Sequence, residues 1–248
     1  MMAHESLTAK IEPFDSFWEA PENIEKGYKT FYKFYKHNYL KYVPKNKDAN
    51  VLVVSCGPGY FVNLLNSEGY TNVLGIDSLA EKVEYAKKRQ LHCQHAEVFP
   101  FLQDRESEFD LIFCEQELNH LTKTEIIQFL QLCMQSLKPD GVLITHVLNG
   151  ANPITGAEAL AQNFDHYNTF TEYTFRQVLE HTHFADVRVV PLNLYVFYTN
   201  PANYVLMFIS SLYTLFFRFS FKLYGKSNKL FTKKIAAICR KSAVSERR

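Results

Sequence analysis

The stretch Val51-Leu52-Val53-Val54-Ser55-Cys56-Gly57-Pro58-Gly59-Tyr60-Phe61 decides the fold. Four consecutive apolar residues read as a strand buried on both faces, which belongs in a parallel sheet with both faces covered. Ser55 to Gly59 then turns the chain, and glycine lets backbone turn sharply and approach a ligand with no Cβ in the way. Tyr60 to Glu68 follows as a helix and Asn72 to Ile76 as the next strand. Strand, glycine turn, helix, strand is the opening unit of an open α/β sheet.

The alternation continues downstream. Leu79 to Gln90 reads as a helix, Asp110 to Phe113 as a strand, Lys123 to Leu137 as a helix and Gly141 to Val147 as a strand. Tyr173 to His181 is helical, and Asp186 to Val190 and Leu194 to Tyr198 are strand-like. The short Pro191-Leu192-Asn193 link predicts that these last two form an antiparallel hairpin at one edge. Upstream, Pro21-Glu22 suits a helix start. Ile24, Tyr28, Phe31, Tyr32, Tyr35 and Tyr39 then fall on one helical face,. That aromatic stripe reads as a packing face first and as a ligand-covering lid second.

Composition sets the outer bounds. The chain has 248 residues, 47% hydrophobic and 21% charged, which excludes disorder and low complexity,. Its five cysteines form no CxxC pair and no Cys/His ligand spacing, so reduced thiols and no metal are expected,. The opening residues carry Glu5, Lys10 and Glu12 with no apolar core, so no secretory signal is expected and the predicted location is cytoplasmic,. Net charge is +1, yet residues 201–248 hold ten of the 27 Lys and Arg and only one of the 26 acids, Glu246. The acidic remainder argues against nucleic acid as a partner.

In such a sheet, ligands bind outside the carboxyl ends of the strands. The second strand ends Gly75-Ile76-Asp77, and a carboxylate there suits a ribose diol. The third small residue of a dinucleotide fingerprint is missing, since Val62 or Tyr60 stands there, and no Gly-Lys-Ser/Thr follows,. A nucleoside cofactor without phosphates fits better, S-adenosylmethionine foremost.

Val51 to Phe61, Gly75-Ile76-Asp77, Phe109 to Phe113 and Leu137-Lys138-Pro139-Asp140-Gly141 together resemble the motifs of class I S-adenosylmethionine-dependent methyltransferases, in order and spacing over roughly residues 45–190. Glu115-Gln116-Glu117-Leu118-Asn119-His120-Leu121 is similar to the segment after strand 4 in the subgroup from bacterial glycan and natural-product clusters, with Asn119 where Glu is usual. The resemblance implies a doubly wound, Rossmann-like, mainly parallel seven-stranded sheet with helices on both faces. An N-terminal aromatic helix (1–44) would precede the methyltransferase domain (45–200), and an amphipathic helical extension with a basic tail (201–248) would follow it.

Carried over, Ser55, Gly57 and Gly59 approach the cofactor, Asp77 takes the ribose hydroxyls, and Ser78 or Leu79 flanks the adenine. Ala96 and Glu97 lie near the adenine edge, and Glu115 and Gln116 sit under the methionyl group. Val53, Ser55 and His95 depart from the family, which usually has an acid, a glycine and an acid there. Losing hydrogen bonds worth about 1.5–3 kcal/mol each predicts weaker cofactor binding, and a non-catalytic scaffold is the competing reading.

A hydroxyl acceptor must lose a proton, and histidine is the usual base. His120, just past strand 4, and His166, in the loop after strand 5, are the catalytic candidates, while His146 inside strand 5 reads as a core residue. The long segment Asn149 to Phe170 reads as a functional loop,. Its Asn149, Asn152 and Asn163, with Tyr28 from the aromatic helix, are the candidate substrate contacts, suited to a sugar, glycolipid precursor or small metabolite. From Pro201, Val205, Phe208, Ile209, Leu212, Leu215, Phe216 and Phe219 share a broad apolar face trailed by lysines. Segment 202–248 is thus expected on an anionic membrane surface, peripheral at the inner face, or else packed on the domain or in a homodimer. A membrane-associated partner protein is the third functional reading.

Overall fold

The structure, a computed structural model, describes residues 22–161, 163–192 and 202–242. One sheet carries seven strands: β1 (Val51–Val54), β2 (Val73–Asp77), β3 (Cys93–His95), β4 (Phe109–Glu115), β5 (Leu137–Leu148), β6 (Phe184–Pro191) and β7 (Lys234–Lys241). Their spatial order is β3-β2-β1-β4-β5-β7-β6. The first five run parallel, and β7 pairs antiparallel with both β5 and β6. The β1 residues are all buried, as an apolar run between two helix layers demands,. Order reverses between β1 and β4, so a crevice opens at the carboxyl ends of those two strands,.

The helices are α1 (Ile24–Asn38), α2 (Tyr60–Ser67), α3 (Ala80–Lys88), α4 (Val98–Gln103), α5 (Glu117–His120), α6 (Lys123–Ser136), α7 (Gly156–Ala161), α8 (Glu172–His181) and α9 (Ala202–Leu223). The sheet separates two apolar layers. One gathers α1 and α2 with Val51, Val53, Leu111 and Phe113; the other gathers α6 and α8 with Leu52, Val54, Ile112 and Leu143. Alternate residues of β1 and β4 thus serve opposite layers, the period-two rule of a strand.

One boundary is corrected. The strand completing the edge hairpin with β6 is Lys234–Lys241, drawn from the tail segment. The expected strand Leu194 to Tyr198 lies outside the described residues. Segment 201–248 is therefore no appendage: β7 is integral, its Ile235, Ala236, Ala237 and Cys239 fully buried, and α9 is an insertion between β6 and β7. The basic composition hid this, because the apolar core of Lys234–Lys241 is only five residues long, Ile235 to Cys239, between charged ends.

The aromatic stripe is a packing face. Tyr35 and Tyr39 meet Phe61 and Phe113 edge-on, and Phe61 stacks on Phe113 with ring centres 3.8 Å apart. Three tyrosine hydroxyls extend beyond that packing. Tyr28 donates to the Pro58 carbonyl in the glycine turn, Tyr32 to Glu68 and Tyr35 to Glu115. The helix is thereby pinned to the glycine turn and to the end of β4.

Candidate active site

Ser55, Gly57, Gly59, Asp77, Ser78, Ala96, Glu97, Glu115 and Gln116 all lie at the carboxyl ends of β1 to β4 or in the turns that leave them. Within the first turn the backbone is left-handed at Ser55 (φ 52°), Gly57 (φ 53°) and Gly59 (φ 83°). At Gly59 the left-handed backbone would strain an L side chain, and a Cβ would also come within 2.9 Å of Leu91 Cδ1,. Asp77 is buried, and its two carboxylate oxygens accept from the Gly57 and Leu79 amides at 2.8 Å each. These two bonds hold the glycine turn against the end of β2. Ala96 donates to the Asp77 carbonyl, which ties the end of β3 to the same point. His95 bonds through Nε2 to the Ser78 carbonyl at 2.9 Å.

Sequence reasoning missed one residue here. The Ser55 hydroxyl donates to the carboxylate of half-buried Glu117. Glu117 is pushed above the ordinary carboxylate range, chiefly by burial; Asp77 and Glu97 add to the rise and the Ser55 bond opposes it. An acid thus stands beside the glycine turn although Val53 and Ser55 lack one. The signal was the Glu115-x-Glu117 spacing, in which the second acid follows the left-handed Gln116 (φ 58°) and turns back toward β1.

The loop side carries the second half of the site. Asn119 is fully buried: its amide donates to the Asn168 carbonyl at 2.6 Å, and its side-chain oxygen accepts from Leu148 N at 3.2 Å. Tyr167 N donates to its carbonyl. This asparagine fastens α5 to the loop after β5 and so brings the two candidate histidines together. His120 Nδ1 lies 2.8 Å from Asp165 Oδ2, and the His120 and His166 rings meet edge-on at 4.6 Å. His166 is buried, its Nδ1 donating to the Ala159 carbonyl at 2.8 Å, and Asn163 sits 3.4 Å from its Nε2. His120, Asp165 and His166 offer ligand atoms within 4.8 Å of one another, a set able to hold a metal ion that spacing along the chain did not suggest.

Three expected substrate contacts are occupied by structure instead. Asn149 is fully buried and donates to the Leu230 and Thr232 carbonyls while accepting from Ala151 N. Asn152 donates to Phe231 and accepts from Ile154 and Thr155. Both close the loop onto the segment before β7. Tyr28 is buried and gives its hydroxyl to Pro58. His146, as expected of a core histidine, is fully buried.

Residues 28–189 match the methyltransferase domain family, and the chain belongs to it. Among curated proteins, the ubiquinone biosynthesis O-methyltransferase of Actinobacillus pleuropneumoniae serotype 5b is 31% identical over 109 residues, covering 40% of this chain and 45% of that protein. The human mitochondrial ubiquinone biosynthesis O-methyltransferase is 25% identical over 131 residues, 47% of this chain and 35% of that protein. The matched stretch spans less than half the length of either relative. Among solved structures, an S-adenosylmethionine-dependent methyltransferase from Archaeoglobus fulgidus aligns with TM-score 0.68 and 16% identity, covering 91% of this chain and all of that one. Haemonchus contortus phosphoethanolamine N-methyltransferase 2, in complex with S-adenosyl-L-methionine, aligns with TM-score 0.56 and 14% identity, covering 91% of this chain and 59% of that one. Both confirm the fold. The cofactor that goes with this family is S-adenosylmethionine, and the residues fit it: Asp77 places a carboxylate at the end of β2, the glycine turn admits close approach, and the acids Glu97, Glu115 and Glu117 suit a cation.

Proposed function

We propose that the chain methylates a hydroxyl group of a sugar, glycolipid precursor or small metabolite. The observation that carries this reading is the His120–Asp165 pair, 2.8 Å apart and held in place by buried Asn119. When bound, S-adenosylmethionine supplies an electrophilic methyl on a sulfonium. Asp77 and the glycine turn hold the nucleoside, and Glu115 and Glu117 provide negative charge for the positively charged end. Asp165 accepts the Nδ1–H of His120, which fixes the tautomer and makes Nε2 the basic nitrogen. Nε2 then takes the acceptor's hydroxyl proton, and Asp165 stabilises the imidazolium that results. An oxygen acceptor needs this base far more than an amine already neutral at working pH. The O-methyltransferase names of the curated relatives support the same assignment. The acid at Glu117 favours an enzyme over a non-catalytic scaffold, because it restores negative charge beside the turn.

The test is transfer of labelled methyl to a panel of phenols, sugars and amines. His120→Ala is expected to lower kcat by about 10²–10⁴ with S-adenosylhomocysteine binding retained. Asp165→Asn should cost less and displace the acid limb of the pH profile. A chelator should leave turnover unchanged, since the pair moves the proton without a metal. Wild-type turnover in His120→Ala, or activity confined to amines, would defeat the proposal.

A further inference from the structure

Helix α9 carries apolar side chains on its outer face as well as its inner one. Its half-buried residues are Met207, Ser210, Thr214, Phe217 and Phe221, with Ser220 at the edge of the set. At 100° per residue the first five fall within an arc of about 80°, the side that meets the domain. Phe217 and Phe221 contact Phe231 there, with ring centres 5.8 and 4.7 Å apart. The small polar side chains Ser210 and Thr214 thus face the protein. Phe208, Leu215, Phe216, Phe219 and Leu223 are each more than 60% exposed on the opposite side. With the other exposed large apolar residues, from Tyr204 and Leu206 to Tyr213, the exposed apolar arc spans roughly 200° of the helix,. A surface helix of a water-soluble domain turns its apolar stripe inward and a polar face outward, and α9 lacks that polar outer face,. No part of the most apolar stretch, Tyr204–Leu223, is buried among the described residues.

We propose that α9 lies in the surface of an anionic membrane and anchors the domain there. Charge selects this occupant. Arg218 and Lys222 stand on one margin of the apolar arc, and Lys226, Lys229 and Lys233 follow, with no acid between residues 201 and 245. A second copy meeting α9 would offer that basic run no acid from its own residues 201–245,. An anionic headgroup layer complements it, and arginine and lysine stems reach out from the helix margin to the headgroups. Chain length selects the orientation. A helix of 22 residues is about 33 Å long, enough to cross a bilayer,. Both its ends return to the same sheet edge, however, where Pro191 pairs with Ile235. Residues 193–201 reach about 30 Å at full extension, and a spanning helix would draw them through hydrocarbon with backbone groups unpaired. The in-plane position needs no such crossing. This inference does not depend on the proton-transfer role of His120.

Flotation tests it. The full chain is made in a cell-free reaction with vesicles of phosphatidylcholine, alone or mixed with phosphatidylglycerol, and spun through a density gradient. It should float with the mixed vesicles, much less with the neutral ones, and come off in alkaline carbonate. K226Q/K229Q should lower partitioning about 25-fold, at roughly fivefold per basic residue lost. F208E/F216E should abolish flotation with the thermal melt unchanged, because both side chains lie outside the core. Three results would overturn the proposal. The wild type could stay at the bottom with both vesicle types; it could resist carbonate, as a spanning helix does; or it could form a dimer in lipid-free buffer that F208E/F216E dissolves, with no flotation.

Discussion

Ser55 and Gln116 hold left-handed backbone without being glycine, and they sit at the carboxyl ends of adjacent strands. Such a conformation costs an L-residue about 1–2 kcal/mol and gathers at functional sites. Here each strained residue has something to place. Ser55 aims its hydroxyl at Glu117, and Gln116 turns the chain so that Glu117 can receive it. The raised pKa of Glu117 gives a sign to the cofactor's pH dependence. Its carboxyl stays protonated above the ordinary 4.5, and a sulfonium favours the ionised form. Affinity for S-adenosylmethionine should therefore rise as pH increases through the window above 4.5. S-adenosylhomocysteine, whose sulfur is a neutral thioether, should show little of this rise. Glu117→Gln should remove the difference between the two ligands, at a cost to S-adenosylmethionine of about 10–100-fold, the value of a charge-assisted bond. Calorimetric titration of both ligands at pH 5 and pH 7.5 reads it directly, and an unchanged preference in the variant would remove Glu117 from the site.

At the scale of elements, α1 is joined to the sheet by a buried polar contact in the middle of its aromatic packing. Tyr39, at the end of α1, bonds through its hydroxyl to His146 Nδ1 of β5 at 2.6 Å, with the two rings stacked. His146 Nε2 lies 3.3 Å from a Glu115 oxygen but out of hydrogen-bond alignment. Burial holds His146 well below its ordinary 6.5, and Lys234 adds to the effect. The unfolded chain thus binds a proton near pH 6.5 that the folded chain refuses. Stability present above 6.5 is lost as pH falls below it, by up to about 1.4 kcal/mol per pH unit. Thermal melts between pH 5 and pH 8 should show this slope. Tyr39→Phe should cost a further 1–3 kcal/mol or about that, because a buried acceptor loses its donor. The elements that the sequence exposed most clearly were those with period and punctuation: β1 with its glycine turn, β2 ending in Asp77, and the heptad-like aromatic spacing of α1. Glu117, Asn119 and Asp165 were less legible because their roles depend on contacts between segments roughly 30–60 residues apart, which no local pattern records,. Asn149 and Asn152 misled for the same reason. Polar residues in a long loop look available to a substrate, and only the fold shows their amides closing the loop onto the chain before β7.

For the whole molecule, the decisive fact is that the chain leaves the sheet for α9 and then returns. A charge-poor helix followed by lysines reads as a terminal extension, yet β7 fills the slot between β5 and β6 over seven paired positions with β5. Lys241 also reaches back to the Leu137 carbonyl at 2.7 Å, and the Glu172 carboxylate accepts from Lys229 N and Leu230 N. These contacts make two deletions behave oppositely. Ending the chain at residue 201 removes β7, strips the buried side chains of Ile235, Ala236, Ala237 and Cys239 from both layers, and leaves the facing edges of β5 and β6 unpaired,. That protein should be insoluble. Replacing 202–227 with a short Gly-Ser linker removes the exposed apolar arc but keeps Phe231, β7 and the Pro191–Ile235 pairing, so the hairpin can close directly. This second protein should fold, bind S-adenosylhomocysteine as the full chain does, and no longer float with anionic vesicles. Cofactor binding and membrane anchorage would then be separable along the chain, because the glycine turn follows β1, beside the central crevice, whereas α9 is inserted between the edge strand β6 and its neighbour β7. A soluble, folded product from the 201 truncation would refute the integral role of β7, and loss of cofactor binding in the linker variant would place α9 in the cofactor site.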